Sequence, residues 1–398
     1  MGNTILTPTA VTREALRILH QKLNFIGSIN RSYDDQYAKK GAKIGNDLKI
    51  KLPNQYTVRT GAVLDVQDTV EDSVTLTVST QKGVDMNFSS EELTMDLDSF
   101  SKQVIDPAMA VLAANMESDA LSMYNDVYQQ VKNQTTSATM AKLLSGRKML
   151  MDALAPTGDR TANLNTQDNV DLVDALKGLF QDSGNIAKQY REGYMGRTAG
   201  FDFVENTLWP QHTKGTGVAT YVTNTVSLSA TSVAASAITV ATGTGTLVKG
   251  DIFTVAGVYR VHPESKVITS SLQQFVVTTD YSGGGGSVAI SPSIITAGAK
   301  QNVSVSATST TAVISIAATS AQTSGMSMLY HKDAFTFATA DLVMPSGVDF
   351  SAREVLDGIS MRIVRQYDIN NDTLPCRVDV LYGYKTIRPQ LAVRYANN

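Results

Sequence analysis

The stretch SSEELTMDLDSFSKQVIDPAMAVLAANMESDAL, Ser89 to Leu121, carries the clearest helix signal in the chain. Asp106 offers an N-cap side chain, and Pro107 stands at the first helical position, where its missing N–H costs nothing. From there Val111, Leu112, Met116, Ala120, Met123, Val127 and Val131 recur at helical spacing. The spacing predicts a helix from Pro107 to Val131, roughly 38 Å long at about 1.5 Å per residue. Two settings suit a helix of that length: the core of a large α+β domain, or a rigid spine crossing a plate-like subunit. The neighbouring segments decide between them.

Upstream, Thr9 to Ile26 reads as an amphipathic helix with Ala15, Leu16, Leu19, Leu23 and Ile26 on one face. A polar, basic segment follows, with Lys39, Lys40 and Lys43 between turns. The basic run up to Lys51 could touch nucleic acid, although a solvated or chain-pairing segment is the commoner use of such residues. Period-2 alternation then takes over in Leu48, Ile50, Leu52, in Val74, Leu76, Val78 and in Val84, Met86, Phe88. Between the first two runs lies DVQDTVED, Asp65 to Asp72, expected to be the exposed acidic tip of an extended β-excursion.

Downstream, residues 140–209 are mixed α/β, with a helix expected over Val170–Leu179 and loops between short elements over Tyr190–Asn206. The composition shifts at about Val222. From there to Gly325 the chain is rich in Ser, Thr, Val, Ala and Gly. Short β-runs recur at Ala237–Val240, Ile252–Val255, Gln274–Thr278, Val288–Ser291, Val303–Ser306 and Ala312–Ile316. Such spacing predicts a small sandwich or barrel inserted into another domain's sequence. The four glycines Gly283–Gly286 are expected as a flexible surface loop. Ile359, Met361, Ile363 and Val378, Val380, Leu381 then flank a polar turn, Asp368–Thr373, as a hairpin ending at Pro389.

The chain has 398 residues, enough for two or three structural units. Only 18% are charged, against about 25% in an ordinary soluble protein, which suits a surface largely covered by other chains. With 34 basic and 37 acidic residues the net charge is −3, against a dedicated nucleic-acid binder. Cys376 is the one cysteine, so neither an intrachain disulfide nor a cysteine metal site is expected. No signal-peptide h-region or membrane-spanning run is legible, so a soluble chain that stays where it is made is expected. The histidines His20, His212, His262 and His331 are scattered, and no phosphate-binding loop, dinucleotide fingerprint or nucleophile elbow occurs. No catalytic, cofactor-binding or metal-binding residues are expected.

Several segments in order resemble the coat proteins of tailed phages with the HK97 fold, and within them the P22-like branch. They are the N-terminal arm helix, the extended loop near Asn46–Phe88, the run into the spine helix, TAGFDFVENT (Thr198–Thr207), GDIFTVAGV (Gly250–Val258), MLYHKDAFTFATADLVMP (Met328–Pro345) and RVDVLYGYKTIRPQLAVRY (Arg377–Tyr395). The resemblance implies an α+β coat fold: an N-terminal arm (1–45), an E-loop with flanking strands (46–95), a spine helix of the P-domain (96–138) and a first A-domain part (139–221). An inserted β-barrel-like domain (222–325), an A-domain return (326–360) and closing strands (361–398) complete it.

Such a protein assembles with itself into hexamers and pentamers of an icosahedral T=7 procapsid, built in the host cytoplasm and ending as the virion shell. The implied partners are a scaffolding protein, a portal and non-specifically packaged double-stranded DNA, with room for decoration proteins and no membrane. No residue matches the Lys–Asn cross-link of HK97 itself, so no covalent cross-link is expected. Asp65, Asp68, Glu71 and Asp72 are expected to meet basic groups of an adjacent subunit. Glu14, among Arg13, Arg17, Lys22 and Arg31, is a candidate for scaffold docking, or simply an i,i+3 partner of Arg17. An encapsulin-type shell protein and a β-rich phage surface or tail protein are the alternatives.

Overall fold

The computed structural model describes residues 12–13, 15–19, 23–32, 47–64, 66–69, 71–89, 106–131, 136–176, 197–217, 221–223, 235–305, 313–316, 319–356 and 358–397. Glu14, Lys22, Lys39–Lys43, Asp65 and the 90–105 run into the long helix lie outside the described residues. The chain divides into two compact units. The first comprises Met1–Ile50, Ser73–Leu121 and Phe335–Ile387, the second Lys51–Asp72, Ser122–Ala334 and Arg388–Asn398.

In the first unit the 14-residue strand Thr373–Thr386 is the axis of a five-stranded antiparallel sheet. One side pairs over ten positions with Thr80–Ser89, from Thr373↔Ser89 to Tyr382↔Thr80. The other side is shared between Ile359–Arg365, from Arg365↔Cys376 to Arg362↔Asp379, and Phe335–Ala340, from Leu381↔Ala340 to Thr386↔Phe335. The hairpin expected at Asp368–Thr373 forms, with Asp368 N donating to Thr373 O at 2.8 Å. Alternation along Thr80–Ser89 is visible as half-buried Lys82, Val84 and Met86 between exposed neighbours.

Helix α1, Asp106–Leu121, is shorter than its periodicity suggests. It buries Met109, Leu112, Ala113, Met116 and Ala120, while Val111 is 57% exposed. After Leu121 the chain tightens into a 3-10 turn, Ser122–Asp126. Ser122, Asn125 and Asp126 are residues whose side chains compete with the helical backbone. Val127 and Val131 are buried, but from chain that follows the helix without regular structure. The 25-residue helix is therefore corrected to 16 residues.

Asp119 ties α1 to the sheet, accepting from the Tyr382 hydroxyl at 2.5 Å and pairing with Lys82 at 2.7 Å. Glu117, 1% exposed, turns the other way. Its carboxylate accepts the backbone N–H of Phe25 and, at 3.3 Å, of Ile26, where the helical turn Phe25–Ser28 begins. A carboxylate at a helical N-terminus answers N–H groups that have no partner inside the turn. Residues 12–13 and 15–19 are helical, and Ala15, Leu16, Leu19, Leu23 and Ile26 are all buried, as their spacing predicts.

The second unit is built on a six-stranded sheet ordered Ala392–Asn397, Thr323–His331, Arg160–Leu164, Phe201–Glu205, Arg197–Thr198, with Gln211–Thr213 beside Thr323–His331. Helix α2, Met140–Asp152, is capped by Thr139, whose hydroxyl accepts from Lys142 N at 3.3 Å. Helix α3, Thr166–Leu176, connects the parallel strands Arg160–Leu164 and Phe201–Glu205. In TAGFDFVENT, Ala199 and Gly200 have φ of 53° and 85°, the paired positive values of a tight hairpin turn.

From Val222 to Ile316 all six expected β-runs are strands: Ala235–Thr242, Ile252–Val261, Ile268–Val277, Gly286–Ile294, Val303–Val305 and Ile314–Ile316. With Val222–Thr223 they form a seven-stranded sheet. The bridge Val222↔Val313, together with Ile314 pairing to the 252–261 strand, curls that sheet into a closed barrel. Its interior holds Tyr221, Ile238, Val240, Phe253, Val255, Phe275, Val277, Val288, Ile290 and Ile314. Chain enters and leaves side by side, since Thr213 faces Thr323 and Lys214 N donates to Gln322 O at 3.0 Å. The four-glycine run lies at the surface, with Gly286 opening the strand Gly286–Ile294. Gly284 N donates to Gly243 O at 3.1 Å, and a Cβ on Gly283 (φ 98°) would sit 2.4 Å from Gly245 O.

Candidate assembly surfaces

The strands Asp47–Lys51 and Ser73–Thr77 pair with each other, and Pro53 ends the first of them. Between them the described residues 52–64, 66–69 and 71–72 carry no regular structure. Gln67 ties the two legs by mimicking a strand partner. Its Oε1 accepts from Thr57 N at 2.8 Å and its Nε2 donates to Thr57 O at 2.7 Å. Gly61 turns the chain with φ 100°, and the Arg59 guanidinium closes the turn on the carbonyls of Gly61 and Val63. The turn is thus at Arg59–Leu64, and the described acidic residues Asp68, Glu71 and Asp72 lie on the returning leg. Asp65–Asp72 contains no glycine to supply the reversal.

Of the four acidic residues expected at the tip, Asp68 is exposed and Asp65 lies outside the described residues. Glu71 pairs with Lys51 at 2.6 Å, and Asp72 pairs with Lys300 at 2.6 Å, so both meet cations of their own chain. Sequence reasoning passed over the apolar members of the same segment. Tyr56 is 55%, Val58 95%, Val63 85%, Leu64 78% and Val66 76% exposed. Full burial of one such side chain contributes about 1.5–3 kcal/mol. A stretch this dense in bare apolar groups is the kind of surface that marks an interaction site.

A second feature escaped the sequence because its members are far apart. The His212 ring lies between the Tyr124 hydroxyl, 3.2 Å from Nδ1, and Asp251 Oδ1, 3.0 Å from Nε2. Asp251 also accepts from Gly215 N at 3.1 Å and Val248 N at 2.9 Å. Arg394, fully buried, donates to Gly250 O at 2.6 Å and Asn125 O at 3.1 Å and stacks over the Tyr124 ring at 5.2 Å. Burial pushes the Arg394 pKa down to about 10. Asp251 is 2% exposed, with Oδ1 on the His212 ring and Oδ2 on two backbone N–H groups, and Arg394 carries the array from Gly250 to the closing strand Ala392–Asn397. Among the described residues no three metal-ligating side chains cluster. No helix among them is long and apolar enough to cross a membrane.

No curated protein matches the sequence. The solved structures similar to this chain include one described as Mycobacterium phage Che8, at 11% identity and TM-score 0.48, covering 94% of this chain and 90% of that one. The capsid of cyanophage P-SCSP1u has 10% identity and TM-score 0.46, covering 89% and 84%. A virus-like particle from Pyrococcus furiosus has 8% identity and TM-score 0.39, covering 97% of each chain. The family model described as P22 coat protein - gene protein 5 matches residues 27–394. That match takes in the two-strand base of the excursion, α1, the barrel and all but the end of the closing strand, and on it the chain belongs to the P22 coat protein family, capsid proteins of tailed phages.

Proposed function

We propose that the chain builds an icosahedral T=7 shell of hexamers and pentamers, and that the excursion at residues 52–72 is covered there by a neighbouring copy. The observation that carries this reading is the row of bare apolar side chains from Tyr56 to Val66. Solvent exposure of that row is unfavourable for an isolated chain, and a repeated subunit contact removes it. Asp68, with Asp65, faces cations of the adjacent subunit in this arrangement. Glu71 and Asp72 keep their partners within the chain. The organisation is that of an HK97-like coat subunit with the barrel inserted. The neighbouring ends at Thr213 and Thr323 support the insertion, and they suggest bounds of 214–322 rather than 222–325.

Scaffolding protein, a portal and packaged double-stranded DNA complete the proposed assembly, with Glu14 as the residue to test for scaffold docking. The chain acts as a structural protein without cofactor or covalent cross-link, assembles in the host cytoplasm and ends in the virion. The test is a double substitution, Val63→Ser with Leu64→Ser. Both side chains are exposed, so unfolding of the free chain should shift by less than about 0.5 kcal/mol. The lowest concentration that supports assembly should rise several-fold. Unchanged assembly would remove the excursion from the contact.

A further inference from the structure

The second unit holds a cavity of about 310 Å³ whose walls carry unbalanced charge. Arg260, Lys266 and Lys300 line it, and Asp72 is the one carboxylate among its lining residues. The barrel gathers the cations. Arg260 lies opposite Val303 in the strand pairing. The Lys266 ammonium donates to Gln301 O at 3.2 Å, next to Lys300 in the chain. Lys300 is matched by Asp72 at 2.6 Å. Arg260 has a long contact, 3.5 Å, to Gln129 Oε1. Among the described residues no carboxylate lies within ion-pairing distance of Arg260 or Lys266.

Tyr128 supplies an independent observation on the same wall. It is 9% exposed, and its ring packs with Ile252 and Val276. Its hydroxyl makes no hydrogen bond among the described residues, and the side chain lines the cavity, where a bound group can reach it. Arg260 lines the same cavity, and its charge draws the Tyr128 pKa down against the larger upward push of burial.

We propose that this cavity binds a small phosphate-bearing anion, held by Arg260 and Lys266 with the Tyr128 hydroxyl donating to it. Two unmatched cations call for a dianion, and a single carboxylate leaves one of them uncompensated. The guanidinium fork suits phosphate oxygens, and the apolar walls of Val261, Pro263 and Pro292 focus the field of the cations into the cleft. Asp72 opposes the anion and competes with it for Lys300. Removing a cation and removing Asp72 should therefore act in opposite directions.

The experiment is calorimetric titration of the full-length, unassembled chain with inorganic pyrophosphate. One saturable site per chain is expected. Arg260→Gln and Lys266→Gln should each weaken binding at least tenfold, and Asp72→Asn should tighten it several-fold. Matching unfolding midpoints show that the variants fold, and Asp72, on the surface, guards against a purely structural loss. Succinate, a dianion without phosphate, should bind at least tenfold more weakly. A single-stranded oligonucleotide with the same variant pattern would support the site and assign its phosphate to nucleic acid. Binding of pyrophosphate alone would support it for a free anion. The proposal is overturned by the lack of saturable pyrophosphate binding, by indifference to Arg260→Gln and Lys266→Gln, or by equal binding of succinate. Shell formation is scored separately and does not depend on the result.

Discussion

Asp168 gives the second unit a pH-dependent stability that can be worked out from its surroundings. The residue is 1% exposed, in the first turn of α3. Its carboxylate accepts from Ser327 Oγ at 2.5 Å and from Asn397 Nδ2 at 2.9 Å, and Asn397 Oδ1 in turn accepts from Lys142 Nζ at 2.7 Å. Burial pushes the Asp168 pKa up, the two hydrogen bonds and Lys142 pull it down, and the balance lies at about 6 against an ordinary 3.8. At about 1.4 kcal/mol per pH unit, the difference is about 3 kcal/mol. The folded chain holds this proton more tightly than the unfolded chain. The group's contribution is therefore complete below about pH 3.8 and is lost as pH rises through about 6.

Asp168→Asn keeps the shape and removes the ionisation. Urea unfolding of the unassembled chain can be followed through the single tryptophan, Trp209, whose Nε1 donates to Asn163 Oδ1 at 2.7 Å inside the same unit. Variant minus wild-type stability should become more favourable by about 2.4 kcal/mol between pH 4 and pH 7.5, most of it between pH 4.5 and 6.5. A difference that stays constant across that range, or changes with the opposite sign, would refute the reasoning.

Three other substitutions probe the packing. Glu117→Ala leaves the N–H groups of Phe25 and Ile26 without their acceptor and should cost about 1–3 kcal/mol, with faster amide exchange at residues 25–30. Arg394→Met strips Gly250 O and Asn125 O of a charged donor and should cost about 3–5 kcal/mol, read from urea unfolding. Gly283→Val places a side chain where Gly245 O stands and should lower the thermal midpoint, whereas the same change at Gly284, with nothing within 4 Å, strains only the backbone and should cost less.

Regular elements were legible where periodicity and burial coincide. Ala15, Leu16, Leu19, Leu23 and Ile26 are all interior, and the six β-runs of the barrel are all strands. The end of α1 was not legible, because Val127 and Val131 keep helical spacing although the chain tightens into a 3-10 turn at Ser122–Asp126. The excursion was legible as an excursion, but its chemistry was misplaced. The acidic residues drew attention, although Glu71 and Asp72 are paired within the chain, while the exposed row from Tyr56 to Val66 is what makes the segment unusual. His212 looked solitary because its partners Asp251 and Tyr124 stand 39 and 88 residues away in sequence. The cavity was invisible for the same reason, since Asp72 and Lys300 are 228 residues apart.

Electron microscopy of the purified chain, alone and with the proposed scaffolding partner, tests the central claim most directly. Closed isometric shells of uniform size, with capsomers arranged as hexamers and pentamers, are the expected result. A chain that remains monomeric under both conditions, at high concentration and low salt, would contradict the account.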